Sequence, residues 1–185
     1  MNKPFFKEYF DSISHTVASI DVDKLIEISE LIKSTSTKSR KIILVGNGGS
    51  AAMASHVAVD LTKAAQVRAV NFNEADLITC FANDYGYDQW VVEALKAYAD
   101  ADDLIIFISS SGKSANIING ALHAKNMGLQ VITLSGFNSD NPLRKLGDID
   151  LWADSSEYNV IEMSHHIWLV AIVDHIYAAN IQATK

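Results

Sequence analysis

The sequence predicts an α/β protein in which a parallel sheet of five strands carries helices on both faces, with further helices preceding the sheet. Short apolar runs rich in β-branched residues alternate along the chain with segments whose apolar residues recur at helical spacing. Strands that are buried on both faces and joined through helices form parallel sheets. The 185 residues, of which 49% are hydrophobic and 20% charged, suit one globular domain with a full core.

The N-terminal segment 1–38 is predicted to be helical. Apolar side chains recur at helical spacing from residue 5 to residue 35, and Asp21 is a candidate N-cap for the second of two helices. No low-complexity linker separates this segment from the rest of the sequence. We therefore expect a single domain over 1–185, with N-terminal helices in 1–38 and the α/β core and C-terminal helix in 39–185.

Strands and helices are predicted to alternate from residue 41 onward. The strands are expected at 41–46, 68–72, 104–108, 129–136 and 148–153. The helices are expected at 50–64, at 88–99, from about residue 114, and at 160–181. Residues 76–82 are apolar without a clear period and fit either type of element.

The charge and cysteine content restrict the classes of partner. A formal net charge of −7 argues against a broad surface for nucleic acids or for anionic membranes. The one cysteine, Cys80, allows no intrachain disulfide and fits a reducing cytoplasm, and its apolar neighbours favour a packed position. No signal peptide is recognised, and the longest apolar runs are far shorter than a membrane span of roughly 20 residues.

Two loops of glycine and serine follow the first and third predicted strands. They read GNGGS (46–50) and SSSGKS (109–114), and each precedes a predicted helix. Glycine lets backbone N–H groups approach a ligand, serine adds hydroxyl donors, and a helix N-terminus adds a partial positive charge. Together these features suit a phosphate group without a net positive charge on the protein. For one such loop alone, a tight turn with an N-cap serine is an equally good interpretation.

Neither loop fits a nucleotide site. The segment GNGGSA (46–51) matches G-x-G-x-x-A, but Glu74 lies well beyond the spacing at which that motif needs an acidic residue. No glycine stands five places before Gly112, so the G-x-x-x-x-G-K-[ST] order of a P-loop is absent. A sugar phosphate is the better candidate ligand, and no nucleotide cofactor is expected.

His56 and Asp60 lie four residues apart in the predicted helix after the first loop, so they share one helix face. A base and a proton donor beside a bound sugar are what ketose–aldose interconversion through an enediol requires. A carboxylate acts best as this base when desolvation raises its pKa towards neutral pH. Taken alone, a histidine at this spacing is more often a core or a surface residue than a catalytic or metal-binding one.

Three segments together resemble one family: VGNGGSAAMASHVAVDL (45–61), FANDYGYD (81–88) and ISSSGKSANII (108–118). They are similar to the SIS (sugar isomerase) domain and, within it, to the phosphoheptose isomerase branch. The resemblance implies a three-layer, flavodoxin-like fold and a homotetramer with active sites between subunits. It also implies conversion of sedoheptulose 7-phosphate to D-glycero-D-manno-heptose 7-phosphate for lipopolysaccharide or capsule heptose.

The resemblance assigns roles to individual residues. Asp60 stands where the family has an acid/base glutamate, and His56 stands at a metal or substrate position. The implied phosphate-binding residues are Ser109, Ser110, Ser111 and Ser114. The implied sugar-binding residues are Asn47, Ser50 and Asp84, with Gly48 and Gly49 of the first loop beside them.

The terminal helix departs from the family pattern, in which a glutamine is followed eight residues later by a catalytic, zinc-binding histidine. Aligning the segment EMSH places Glu162 at the glutamine and Val170 at that histidine. His166 lies one turn after Glu162 on the same helix face and is the candidate catalytic replacement. Alternatively, the histidines at 165–166 line a subunit interface. The residues that would suit a zinc ion are His56, Asp60 and Glu162, with His166 as a fourth.

Three functions are compatible with these residues. The first is a sugar-phosphate isomerase, with Asp60 as the base and His56 or His166 assisting. The second is a non-catalytic SIS module that binds phosphosugars or acts as a scaffold, like a relative that associates with the bacterial replication initiator and lacks the late histidine. The third is an isomerase of another phosphosugar, with its acid/base pair rebuilt around Glu162 and His166.

Overall fold

The computed structural model describes residues 3–183, and its regular elements follow the predicted alternation. The strands are β1 (Ile42–Gly46), β2 (Ala69–Asn71), β3 (Leu104–Ile108), β4 (Gln130–Ser135) and β5 (Ile149–Trp152). The α-helices are α1 (Lys3–Ala18), α2 (Val22–Thr37), α3 (Gly49–Lys63), α4 (Ala75–Tyr85), α5 (Trp90–Tyr98), α6 (Ala115–Asn126) and α7 (Tyr158–Ala183). A single turn of 3₁₀ helix, Arg144–Leu146, precedes β5.

The five strands form one parallel sheet in the order β2-β1-β3-β4-β5. This is the strand order of flavodoxin-like folds, so the predicted fold class is confirmed. The register pairs Ile42 with Leu104 and Gly46 with Ile108. Because β1 and β3 end level with each other, the loops at 46–50 and 109–114 leave the sheet side by side.

Helices cover both faces of the sheet. On one face, α2, α3 and α7 pack with Ile42 and Leu44 into a core that includes the fully buried Trp168. On the other face, α5 and α6 pack against Ile43 and Val45. Alternate residues of β1 therefore point into different cores, which is why this strand is apolar throughout.

The element boundaries agree with the predictions to within a few residues. Asp21 caps α2, since its carboxylate accepts a hydrogen bond from the Asp23 backbone N–H at 3.0 Å. The ambiguous segment 76–82 lies within the helix α4. Among the described residues, no helix combines the length and apolar character needed to cross a bilayer.

One side chain that was expected to be packed is exposed. Cys80 is exposed because the inner side of α4 is formed by Leu77, Ile78 and Phe81, and no residue of that helix is fully buried. The helix α4 is amphipathic, and the sequence did not show which of its sides faces the sheet.

Candidate functional site

A cavity of about 170 Å³ lies above the carboxyl ends of β1 and β3, between the two glycine and serine loops and the start of α7. Ligands of open parallel sheets bind at this end, where the strand order reverses. Seven of the predicted site residues line the cavity: Asn47, Ser50, Ser109, Ser110, Ser111, Ser114 and Glu162. Ile108 and Tyr158 complete the lining.

The second loop presents hydroxyl groups to this cavity. The Ser109 hydroxyl donates to the Ser114 hydroxyl at 3.3 Å, and the Ser111 hydroxyl accepts from the backbone N–H of Lys113 at 3.3 Å. Ser114 is the N-cap of α6, but its side chain forms no capping hydrogen bond. The loop therefore offers both hydroxyl groups and the positive end of a helix to an anion.

Gly112 allows the second loop to turn. Its φ of +62° lies in the left-handed region, and a Cβ there would stand 2.0 Å from the side-chain oxygen of Asn141. The Gly112 N–H donates to the Ser109 carbonyl at 2.9 Å, which closes the turn. A larger residue would open the loop and separate its serines.

The first loop is fixed by a pair of amides. Asn47 and Asn116 exchange two hydrogen bonds, at 3.0 Å and 2.9 Å, and Asn116 is 2% exposed. The Tyr87 hydroxyl also donates to the Asn47 side-chain oxygen at 3.2 Å. The Asn47 amide thus connects the first loop to α6 and to the segment before α5.

Glu162 reaches from α7 to the opposite wall of the cavity. Its carboxylate lies so close to Gly49 that a Cβ on that glycine would stand 2.2 Å from Oε2. The Ser110 hydroxyl donates to Oε1 of Glu162 at 3.5 Å. The carboxylate therefore lies between the start of α3 and the serine loop.

His56, Asp60 and His166 form a connected cluster between α3 and α7. Nε2 of His56 lies 3.0 Å from Oδ2 of Asp60, and Nδ1 of His56 lies 2.8 Å from Nε2 of His166. An ionised Asp60 accepts from the His56 Nε2–H, so neutral His56 accepts at Nδ1 from the His166 Nε2–H. This arrangement leaves Nδ1 of His166 as the free basic nitrogen of the cluster.

The environment of His166 favours its neutral form. Partial burial is the main effect that lowers its pKa, and the nearby His56 adds to this, while Asp60 opposes it. The three side chains do not line the cavity themselves. They lie beside it, since His166 follows Glu162 by one turn of α7.

The side chains as placed do not fit a zinc ion, although their donor types are ones that zinc accepts. Both ring nitrogens of His56 are engaged by Asp60 and His166, so neither offers a free lone pair to a metal. The carboxylate of Glu162 is turned towards Gly49 and Ser110. Among residues 3–183, no three or more histidine, cysteine or acidic side chains are arranged to hold a metal ion.

The remaining predicted positions lie outside the cavity. Asp84 is exposed near the end of α4, where it accepts a hydrogen bond from the Asn83 side chain at 2.9 Å. Gly48 is exposed at the N-cap of α3 with a φ of +54°. Val170 is partly buried and packs against the core that contains Trp168, so it does not replace a histidine at the cavity.

Besides Ile108 of the cavity lining, three residues around the cavity were not among the predicted site residues. Tyr158 begins α7, packs its ring on Phe137 with centroids 4.8 Å apart and contributes to the cavity wall. Asn116 and Tyr87 hold Asn47. The sequence position of Asn116 could have indicated a role at the site, because Asn116 is a polar residue two positions after the N-cap Ser114. The structure shows that it lies on the buried side of α6. Tyr158 carried none.

A cavity lined by hydroxyl groups, above parallel strands and beside two helix N-termini, defines the class of α/β domains that bind small phosphorylated ligands. The family model described as "SIS domain" matches residues 6–136. The chain therefore belongs to the SIS-domain family and, within it, to the phosphoheptose isomerase branch.

Individual relatives support this placement over most of the chain. A probable phosphoheptose isomerase of Thermoplasma acidophilum is 33% identical over 166 residues, which cover 86% of this chain and 90% of the relative. The phosphoheptose isomerase of Sulfurimonas denitrificans is 33% identical over 150 residues, 78% of this chain and 76% of that one. The structure of phosphoheptose isomerase GmhA from Neisseria gonorrhoeae superposes with a TM-score of 0.87 at 28% identity, covering 95% and 98% of the two chains.

Proposed function

We propose that this protein is an aldose–ketose isomerase that converts sedoheptulose 7-phosphate to D-glycero-D-manno-heptose 7-phosphate. The observation that carries the proposal is the cavity between the two loops, which combines serine hydroxyl groups with the N-terminus of α6. Relatives named phosphoheptose isomerase match this chain over most of its length. In this proposal the phosphate binds at 109–114, and the sugar extends towards Asn47 and Ser50.

The reaction moves a proton from C1 to C2 of the sugar through an enediol, while a second proton passes from the oxygen on C1 to the oxygen on C2. One group must therefore accept the carbon-bound proton and return it to the neighbouring carbon. The cluster of His166, His56 and Asp60 lies beside the cavity, one turn of α7 after Glu162, so in this proposal the reacting end of the sugar extends past Glu162 to reach it. A proton taken from carbon binds Nδ1 of His166, and the Nε2 proton of His166 passes to His56, whose positive charge is stabilised by Asp60. Reversal of these steps returns the proton to the neighbouring carbon.

Replacement of Asp60 by asparagine tests this mechanism. Asp60→Asn removes the charge that stabilises protonated His56 and lowers turnover of sedoheptulose 7-phosphate by about 100-fold or more. Ligand binding, measured as a thermal shift, is retained because Asp60 does not line the cavity. Asp174→Asn, an exposed change on α7, is the control and keeps full activity. Full activity in Asp60→Asn would remove Asp60 from the mechanism.

The turnover and thermal-shift assays, applied to the wild-type protein, also distinguish an isomerase from a non-catalytic phosphosugar-binding protein, such as one that associates with a replication initiator. The specific observation behind this second candidate is Val170, which packs in the core where the family pattern has a histidine. Wild-type protein that binds sugar phosphates and turns over none of them would assign the chain to this second function.

We also propose a homotetramer with sites between subunits, as the family resemblance implies. Exposed apolar side chains on three helices support an interface: Phe5, Phe6 and Phe10 on α1, Val22 and Ile26 on α2, and Met163 and Ile167 on α7. Such surface on a monomer is a usual mark of association. The mass of the purified protein, measured by light scattering, tests this proposal.

Zinc, a role in lipopolysaccharide or capsule heptose synthesis, and a cytoplasmic location remain predictions from the resemblance. The mechanism above uses only side chains of this chain, so it does not depend on a metal. Metal analysis of the purified protein, together with activity before and after chelation, tests the zinc prediction.

A further inference from the structure

Glu162 places a negative charge inside the cavity that is proposed to bind a phosphate. Its carboxylate shares the cavity wall with the serines of the second loop. None of the described residues that line the cavity is a lysine, an arginine or a histidine. In the described part of the chain no basic side chain forms an ion pair with Glu162, whose hydrogen-bond partner is the Ser110 hydroxyl. Because no basic side chain of the described residues neutralises this charge, it acts directly on a ligand bound in the cavity.

The position of Glu162 makes the two helix N-termini beside the cavity unequal. The N-cap of α3, Gly48, provides no capping side chain, and the Glu162 carboxylate lies against the first residue of that helix, Gly49. The positive end of the α3 dipole is thereby offset by a carboxylate of the chain itself. The N-terminus of α6, which begins after Ser114, has no such carboxylate against it and keeps its affinity for an anion.

From this asymmetry we infer that Glu162 is a specificity-determining residue that limits the site to sugar monophosphates whose other end is uncharged. The inference rests on the proposed function, in which the phosphate occupies the serine loop. The reacting end of the sugar then lies towards Glu162, where uncharged hydroxyl groups can donate hydrogen bonds to the carboxylate. A second phosphate or a carboxylate at that end is repelled.

Binding of a matched pair of ligands tests the inference. Sedoheptulose 7-phosphate and sedoheptulose 1,7-bisphosphate differ only in a phosphate at the end that faces Glu162. Wild-type protein binds the monophosphate more tightly by about tenfold or more, as measured by calorimetry at one ionic strength. Glu162→Gln keeps the shape of the side chain and loses the charge, so the affinity for the bisphosphate rises. The ratio of the monophosphate affinity to the bisphosphate affinity therefore falls by about tenfold.

Two further variants control for indirect effects. Glu162→Asp retains the charge and keeps a preference closer to that of wild type, whereas Asp174→Asn removes an exposed charge of the same helix and leaves the ratio unchanged. Thermal unfolding confirms that each variant is folded. An equal ratio in wild type and Glu162→Gln overturns the inference.

The outcomes also separate this inference from the proposed function. If sedoheptulose 7-phosphate binds with the expected discrimination but is not converted, the isomerase proposal fails and the role of Glu162 stands. If it is converted and the bisphosphate binds equally well, only the role of Glu162 fails. If wild-type protein binds neither ligand, both proposals are wrong.

Discussion

Asn116 holds the first loop in place through the side chain of Asn47. Each amide donates one hydrogen bond to the other, and the Asn116 side chain is buried. A buried amide that loses its partner pays the full cost of desolvation. The geometry of the first loop therefore depends on a residue in α6 that lies 69 positions away in sequence.

Asn116→Asp separates the roles of donor and acceptor in this pair. The carboxylate cannot donate to the Asn47 oxygen, so one hydrogen bond becomes a repulsive contact between oxygens. We expect the free energy of unfolding to fall by about 2 kcal/mol, and sugar-phosphate binding to weaken. Urea denaturation and calorimetry measure these two effects.

Asn119→Asp is the matched control for that change. Asn119 is also on α6, and its side-chain amide donates to the Asp88 carbonyl at 3.0 Å in an exposed position. Water replaces an exposed partner, so the loss of stability is smaller, below about 1 kcal/mol. Equal effects of the two changes on stability and binding would contradict the special role of Asn116.

At the level of residues, the serines of the two loops could be located from the strand pattern, whereas Glu162 was assigned to the site only through the family resemblance. Ser109 follows β3 directly, and Ser50 ends the loop that follows β1, so their place at the cavity could be predicted. The direction in which Glu162 points depends on how α7 packs over Gly49, and that packing has no local signature. Tyr158 reaches the cavity for the same reason.

At the level of elements, the starts of β1 and β3 are joined by a buried ion pair. Nζ of Lys41 lies 2.6 Å from Oδ2 of Asp103 and 2.7 Å from Oδ2 of Asp100. Oδ1 of Asp103 also accepts from the Lys41 backbone N–H at 3.0 Å. Burial disfavours the charged ammonium of Lys41, but the hydrogen bonds and charges of the two carboxylates outweigh this effect and raise its pKa.

Asp103→Asn leaves the Lys41 ammonium with one partner instead of two in a buried position. We expect a loss of about 3 kcal/mol in the free energy of unfolding, because a charge that loses a buried partner is poorly solvated. Glu30→Gln, which breaks the exposed i,i+3 pair with Lys33, is the control and costs less than about 0.5 kcal/mol. If the two changes cost the same free energy of unfolding in urea denaturation, the ion pair between Lys41 and Asp103 contributes little to stability.

Elements whose apolar residues follow one clear hydrophobic pattern were easier to predict than elements at the edge of the fold. β3 was predicted at its observed bounds, because its residues are buried on both faces and the run is apolar throughout. β2 is an edge strand of three residues, shorter than the predicted 68–72. The type of α4 was ambiguous, since it packs on only one side and buries no residue completely.

At the level of the whole molecule, the strand order creates the site. β1 and β3 are neighbours although β2 and three α-helices lie between them in sequence. Their following helices, α3 and α6, pack on opposite faces of the sheet. The chains leaving the two strands therefore diverge, and the crevice between them is the cavity. A crevice of this kind follows from the predicted alternation of strands and helices. The contacts that Tyr158 and Glu162 of α7 make with the crevice do not follow from that alternation.

The stability of the whole molecule depends on a histidine buried between the sheet and α7. His165 is fully buried, and its Nε2–H donates to the Ser135 carbonyl at 3.0 Å, while Nδ1 has no hydrogen-bond partner among the described residues. Burial is the main effect and lowers its pKa from 6.5 to about 4, although the hydrogen bond to Ser135 acts in the opposite direction. The folded protein therefore keeps His165 neutral under conditions in which the unfolded chain binds a proton there.

We predict a loss of stability as the pH falls from 6.5 to about 4. Within that range the unfolded state binds a proton that the folded state does not, so the free energy of unfolding decreases by about 3 kcal/mol. This contribution is fully present above pH 6.5 and does not change further below pH 4.

His165→Gln keeps an N–H donor and does not titrate, so its pH profile is flatter over this interval, whereas His175→Gln, at an exposed position, follows wild type. Urea denaturation at several pH values measures the difference, and parallel profiles for wild type and His165→Gln would show that His165 is already protonated in the folded protein.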